Sequence, residues 1–94
     1  MRAIRLLSAK EAAGNSFANG STVNGATNVL CVHTGGTAGV ITVLNAAAAG
    51  GGTVGLNIAG SGDAQIIIKK DPTDIIYANQ GSIEFTSVSD GKHL

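Results

Sequence analysis

Asn28-Val29-Leu30-Cys31-Val32-His33 and Val40-Ile41-Thr42-Val43-Leu44, separated by the glycine-rich Thr34-Gly35-Gly36-Thr37-Ala38-Gly39, decide the fold class. Each run is short, apolar and rich in β-branched side chains, which lose freedom in a helix and fit a pleated strand. Successive strand residues face opposite ways, so Val29 and Cys31 share one face, as do Ile41 and Val43. No apolar stripe at i, i+3, i+4, i+7 persists beyond about one turn, which leaves strands joined by turns.

The same punctuation continues outward, with fourteen glycines in 94 residues. Downstream, Ala46–Ala49 followed by Gly50-Gly51-Gly52 reads as a flexible loop, since a helix that short is costly to nucleate. Thr53–Ile58 resumes as a strand with Val54, Leu56 and Ile58 on one face, and Gly60-Ser61-Gly62 turns the chain. Ala64–Lys70 carries Ile66, Ile67 and Ile68, which suggests burial on both faces. Asp71-Pro72-Thr73-Asp74 is a turn: Pro72 presets φ, and the Asp71 carboxylate can accept from the backbone ahead. Ile75-Ile76-Tyr77 and Ser82–Val88 are the last strands, the latter with Ile83 and Phe85 on one face and Glu84 and Thr86 on the other. Upstream, Ser21–Val23 is a short strand, and Asn24-Gly25 suits a hairpin turn into Asn28–His33. Arg2–Leu7 is a first strand. Ser8-Ala9-Lys10-Glu11 matches a capping box, which makes either one helical turn ended by Gly14 or a plain loop.

Seven or eight strands at this spacing predict an all-β fold, a small antiparallel β-sandwich or barrel. One domain spans 1–94, with an N-terminal strand or arm and loop over 1–20, a β core over 21–88 and a tail over 89–94. The expected core contains Val29, Cys31, Ile41, Val43, Leu56, Ile66, Ile68, Ile83 and Phe85. A one-residue register error would swap that set for its neighbours.

Composition limits the function. Charged residues are 13% of the chain, six basic against six acidic, about half the usual share of roughly 25%. A protein alone in water normally carries more, so part of this surface is expected to meet other chains. Nucleic acid is not expected as a partner: no basic excess offsets phosphate charge, and Lys69-Lys70 is the only adjacent basic pair. No stretch approaches the roughly 18 apolar residues of a membrane span, and the start is too short in apolar residues for a signal peptide. The single Cys31 cannot close an intrachain disulfide and reads as a buried thiol.

No residue is assigned a catalytic, cofactor-binding or metal role, and no cofactor is expected. His33 lies at a strand end and His93 near the terminus, neither in a motif that supplies a nucleophile or orienting acid. Asp63, Asp71 and Asp74 lack the regular spacing of a calcium loop and read as turn formers. Gly50-Gly51-Gly52-Thr53-Val54-Gly55 satisfies G-x-G-x-x-G, but the dinucleotide site needs a helix to open there and this segment reads as strand.

The order from Asn28 to Val88 resembles small virion proteins of tailed bacteriophages, particularly phages of marine and cyanobacterial hosts. It runs from the apolar strand Val29-Leu30-Cys31-Val32 through a Gly/Thr/Ala turn to Val40-Ile41-Thr42-Val43. A third strand and an isoleucine-rich fourth then lead into Lys69-Lys70-Asp71-Pro72-Thr73-Asp74, and Ile76-Tyr77-Ala78 and a final strand complete it. The Ala46–Gly52 loop is longer than that pattern has. The resemblance implies a non-enzymatic structural protein located in the virion, a capsid cement or decoration subunit. Its partners would be the major capsid protein or other virion proteins, and it would be a homo-oligomer with a trimer as the first expectation. Alternatives are a neck, tail or fibre component, or a small carbohydrate-binding β module, for which Tyr77 is the candidate stacking ring.

Overall fold

The computed structural model describes residues 5–35, 38–47, 50–56 and 64–89. Among the described residues, seven strands form two antiparallel sheets: β1 (Glu11–Ala12), β2 (Asn28–His33), β3 (Gly39–Leu44), β4 (Gly52–Leu56), β5 (Ala64–Lys69), β6 (Ile75–Ala78) and β7 (Ile83–Ser87). One sheet has the order β1-β7-β2-β5 and the other β4-β3-β6. The fold is a small all-β sandwich.

Alternation selects the core. On β2, Val29, Cys31 and His33 are buried while Asn28, Leu30 and Val32 are half-buried. On β7, Ile83, Phe85 and Ser87 point inward, and Glu84 and Thr86 do not. Register locks these faces together, with Cys31 opposite both Ile66 and Phe85. Of the expected core, Val29, Cys31, Ile41, Ile83 and Phe85 are fully buried, and Val43, Ile66 and Ile68 pack against them half-buried. The Leu56 side chain lies outside the described residues. Val23, Ala26, Ile76, Ala78 and Val88 are also buried. Each fully buried Ile, Val or Phe contributes roughly 1.5–3 kcal/mol of transfer free energy.

Several local expectations are corrected. Ser8–Glu11 makes no helical turn: Glu11-Ala12 is strand β1, paired to Phe85 and Glu84. The Ser8 hydroxyl accepts from the Ser87 N–H instead (3.1 Å). A lone turn cannot recover its nucleation cost, whereas the edge of an existing sheet offers bonds already aligned. Of the expected strand Arg2–Leu7, residues 2–4 lie outside the described residues and Leu6 makes an isolated bridge to Val88. Residues 57–63, including the end of the expected fourth strand and the Gly60–Gly62 turn, also lie outside.

Asn24-Gly25 turns the chain but closes no hairpin, because β2 takes β5 and β7 as partners, and Ser21 bridges to Ile76 in the other sheet. Val23, Asn24 and Gly25 have φ of 53°, 58° and 69°. For a β-branched residue the left-handed region costs about 1–2 kcal/mol. Complete burial of Val23 offsets that, as does its N–H donating to Ser21 Oγ at 2.8 Å.

The isoleucine run is one-sided: Ile67 is 46% exposed, since among the described residues no layer covers the outer face of β5. In the 71–74 turn the roles are reversed from expectation. Asp74 Oδ2 accepts from the Asp71 N–H (3.0 Å), while the Asp74 N–H donates to the Asp71 carbonyl (3.0 Å). Ala46 and Ala47 form a turn, with the Ala47 N–H on Asn45 Oδ1 (3.0 Å).

The two sides of the sandwich differ. Residues 13–21 cross from the edge of one sheet to the edge of the other: the Ala13 N–H donates to Ile83 O, Ala78 N–H to Gly14 O, and Ile76 exchanges bonds with Ser21. A short 3₁₀ turn, Phe17–Asn19, lies in this closure. A Cβ at Gly14 would overlap the Asn19 carbonyl, so the crossing needs glycine there. On the opposite side, β4 and β5 form the rims, and among the described residues no strand pairs with either free edge.

Candidate interaction surface and cleft

The open side holds a cleft of about 380 Å³. Its floor is apolar: Ile41 and Val43 from β3, Val54 from β4, and Ile66 and Ile68 from β5. These are inward-facing positions, so the cleft opens onto core side chains that no strand among the described residues closes over. Lys69 and Asp74 stand at one end with opposite charges, and Gly51, Gly52 and Thr53 form the β4 rim. Gly51 has φ 84°, and a Cβ there would overlap the Val43 carbonyl. The rim approaches β3 closely because that residue is glycine.

Four large apolar side chains are notably exposed among the described residues: Leu6 (65%), Leu7 (58%), Ile67 (46%) and Val40 (41%). Leu6 and Leu7 lie along the β7 side of the four-stranded sheet, and Ile67 lies at its other edge. Among the described residues, cations at the free edges, the usual guard against unwanted pairing, are Arg5, Lys10 and Lys69. Lys10 is drawn to Glu84 at 3.5 Å, an exposed pair that contributes little to stability.

Lys69 and Lys70 form no basic pair, because alternation sends them to opposite faces. Lys70 is 6% exposed, and its Nζ donates to the Asp71 carbonyl at 3.1 Å. Burial pushes its pKa below the ordinary lysine value, against the opposing charges of Asp74 and then Asp71.

His33 is the residue whose surroundings the sequence concealed. It is fully buried, with Ser82 Oγ 3.1 Å from Nδ1 and the Gly35 N–H donating to the same nitrogen at 3.3 Å. A backbone N–H can only donate, so Nδ1 is an acceptor and the Ser82 hydroxyl supplies the proton of the shared contact. A serine beside a histidine is also the start of a nucleophile–base pair. Here the imidazole is sealed from solvent and the hydroxyl already donates to it. The contact fastens the end of β2 to the turn before β7, where the Thr34 N–H also reaches Ser82 O (3.3 Å).

The remaining candidates are placed as follows. Cys31 is buried, with its thiol pushed up to about 12 by desolvation and its Sγ 3.7 Å from the Val29 carbonyl. Gly52–Leu56 is strand paired to β3, so the G-x-G-x-x-G stretch opens no helix. Tyr77 is half-buried on β6, opposite Thr42. Asp63 and His93 lie outside the described residues. Among the described residues no group of three His, Cys, Asp or Glu side chains could hold a metal ion, and no helix is long and apolar enough to cross a membrane. Comparison with protein-family models, curated proteins and solved structures finds no match to this chain.

Proposed function

We propose that this chain is a non-enzymatic structural subunit of a virus particle, a cement or decoration protein of the tailed-bacteriophage kind. In this reading it stabilises a shell through contacts between neighbouring chains. The observation that carries the reading is the open side of the sandwich: two strand edges with no partner among the described residues flank an apolar cleft in a chain with half the usual charge. Unpaired edges and exposed core gain free energy when another chain adds a strand or an apolar surface, and low charge keeps the desolvation cost of that contact small. The pattern resemblance across Asn28–Val88 supplies the virion as the place where such a subunit works. A sugar-binding module is less favoured, because Phe17 and Tyr77 are half-buried and Phe85 is fully buried, which leaves no ring presented for stacking among the described residues.

The test is location. Particles of the source virus, labelled with an antibody to this chain and imaged, are expected to carry signal distributed over the head. Signal confined to neck or tail would move the protein to that part of the virion, and absence from purified particles would end the proposal.

A further inference from the structure

The four-stranded sheet ends in two edges of different character. At one, Arg5–Leu7 runs along β7 and its extension. The Arg5 N–H donates to Ser89 Oγ (2.9 Å), the Ser89 N–H to Arg5 O (2.8 Å), and the Leu7 N–H to Ser87 O (2.7 Å). Arg5 and Leu7 thus turn their backbone groups toward β7, and the intervening Leu6 turns its N–H and C=O away from it. At the other edge is β5, with β2 on one side and, among the described residues, no partner on the other.

We propose that copies of this chain join head to tail, the Arg5–Leu7 edge of one adding to the free edge of β5 in the next. This rests on the reading as an assembly subunit and names the partner and the joint.

Strand direction supports the joint. Every pair in the sheet is antiparallel, so β7 runs opposite to both the arm and β2, and β5 runs opposite to β2. The arm therefore runs opposite to β5. A second copy placed beside the first by translation across the sheet meets it antiparallel, with inner and outer faces matched.

Side-chain facing supports it too. Leu6, itself 65% exposed, lies opposite Val88, which follows β7 in alternation with Thr86 and Glu84 but is buried. Ile67 lies opposite Leu30, on the outer face of β2. Leu6 of one copy and Ile67 of the next would cover each other on that face. Leu7 alternates to the inner side, where the neighbouring edge exposes the cleft floor at Ile66 and Ile68.

Between Leu6 and Glu11 the arm bulges at Ser8–Lys10 relative to β7. The flat stretch that a neighbour can pair with is therefore short. Such an interface is heterologous, and closes into a ring when the sheet twist brings the last edge to the first. Closure lets several short joints hold together.

The experiment is disulfide trapping with Leu6→Cys and Ile67→Cys, both at exposed positions; native Cys31 is buried and does not compete. Equal thermal melts of the reduced variants and the parent establish that each folds. Under mild oxidation at the highest soluble concentration, a mixture of the two variants is expected to give the mixed dimer, while each alone stays largely monomeric. The double variant is expected to give a ladder or closed covalent ring. In sedimentation, Leu7→Asp is expected to weaken association at least ten-fold. Self-linking of Leu6→Cys alone would show like edges meeting and overturn the proposal, as would the lack of any mixed product. Chain found on particle heads without the mixed link would sink the joint and leave the assembly role standing. The mixed link in a chain absent from particles would do the reverse.

Discussion

Two buried polar side chains set the chemistry at the residue scale. His33 is held by Ser82 and Gly35 rather than exposed at the strand end. Ser82→Ala removes the hydroxyl that donates to Nδ1 and leaves the longer bond from Gly35. It is expected to cost about 1–2 kcal/mol in urea denaturation, with the β signature in circular dichroism intact. Cys31 makes stability depend on alkaline pH. The unfolded thiol ionises near 9.0 and the folded one about 12, so the folded state holds its proton longer. The stability of the neutral buried thiol is complete below pH 9 and is lost as pH rises toward 12. Wild type is therefore expected to lose on the order of a few kcal/mol more than Cys31→Ala across that window, read as the difference between their urea midpoints at each pH. The same burial should protect Cys31 from alkylation by iodoacetamide until the protein unfolds.

At the scale of the element, β5 shows how much a single strand says about its own faces. Three isoleucines in a row suggested burial on both sides, because β-branched runs are common in central strands covered by two layers. In a two-layer sandwich only one face of each sheet is covered, so Ile66 and Ile68 turn inward and Ile67 does not. Ile66→Thr is expected to destabilise by about 1–2 kcal/mol, since it places a hydroxyl at the cleft floor. Ile67→Thr should stay within about 0.5 kcal/mol for the isolated chain. Equal effects in paired urea titrations would contradict this facing. The turn after β5 carries a similar lesson. Asp71 and Asp74 were both legible as turn residues, but which carboxylate closes the loop depends on the path into β6.

For the whole molecule, the pairing is non-local. Cys31 meets Phe85 across more than half the chain, and Ile41 meets Ala78. The loop-closure entropy of these contacts comes before their stabilisation, so folding is expected in milliseconds to seconds rather than microseconds. A stopped-flow refolding trace followed through the single tyrosine would show it, and a microsecond phase carrying the full amplitude would contradict it. The open side of the sandwich is also a property at this scale. Its apolar floor is built from three strands of two sheets, and no local stretch reveals that residues 13–21 close one side while β4 and β5 are left as rims.

The sequence alone determined the strands themselves: where β2, β3, β6 and β7 run, and which side chains on β2 and β7 turn inward. Period-two burial and glycine turns are local properties that need no partner to be read. Tertiary structure decided which strands pair, that Glu11-Ala12 joins a sheet rather than a helical turn, that Val23 enters the core with a positive φ, and that His33 and Lys70 are buried. Those outcomes follow from long-range register and from what covers each face, and competition between distant segments for the same sheet edge is invisible within any one of them.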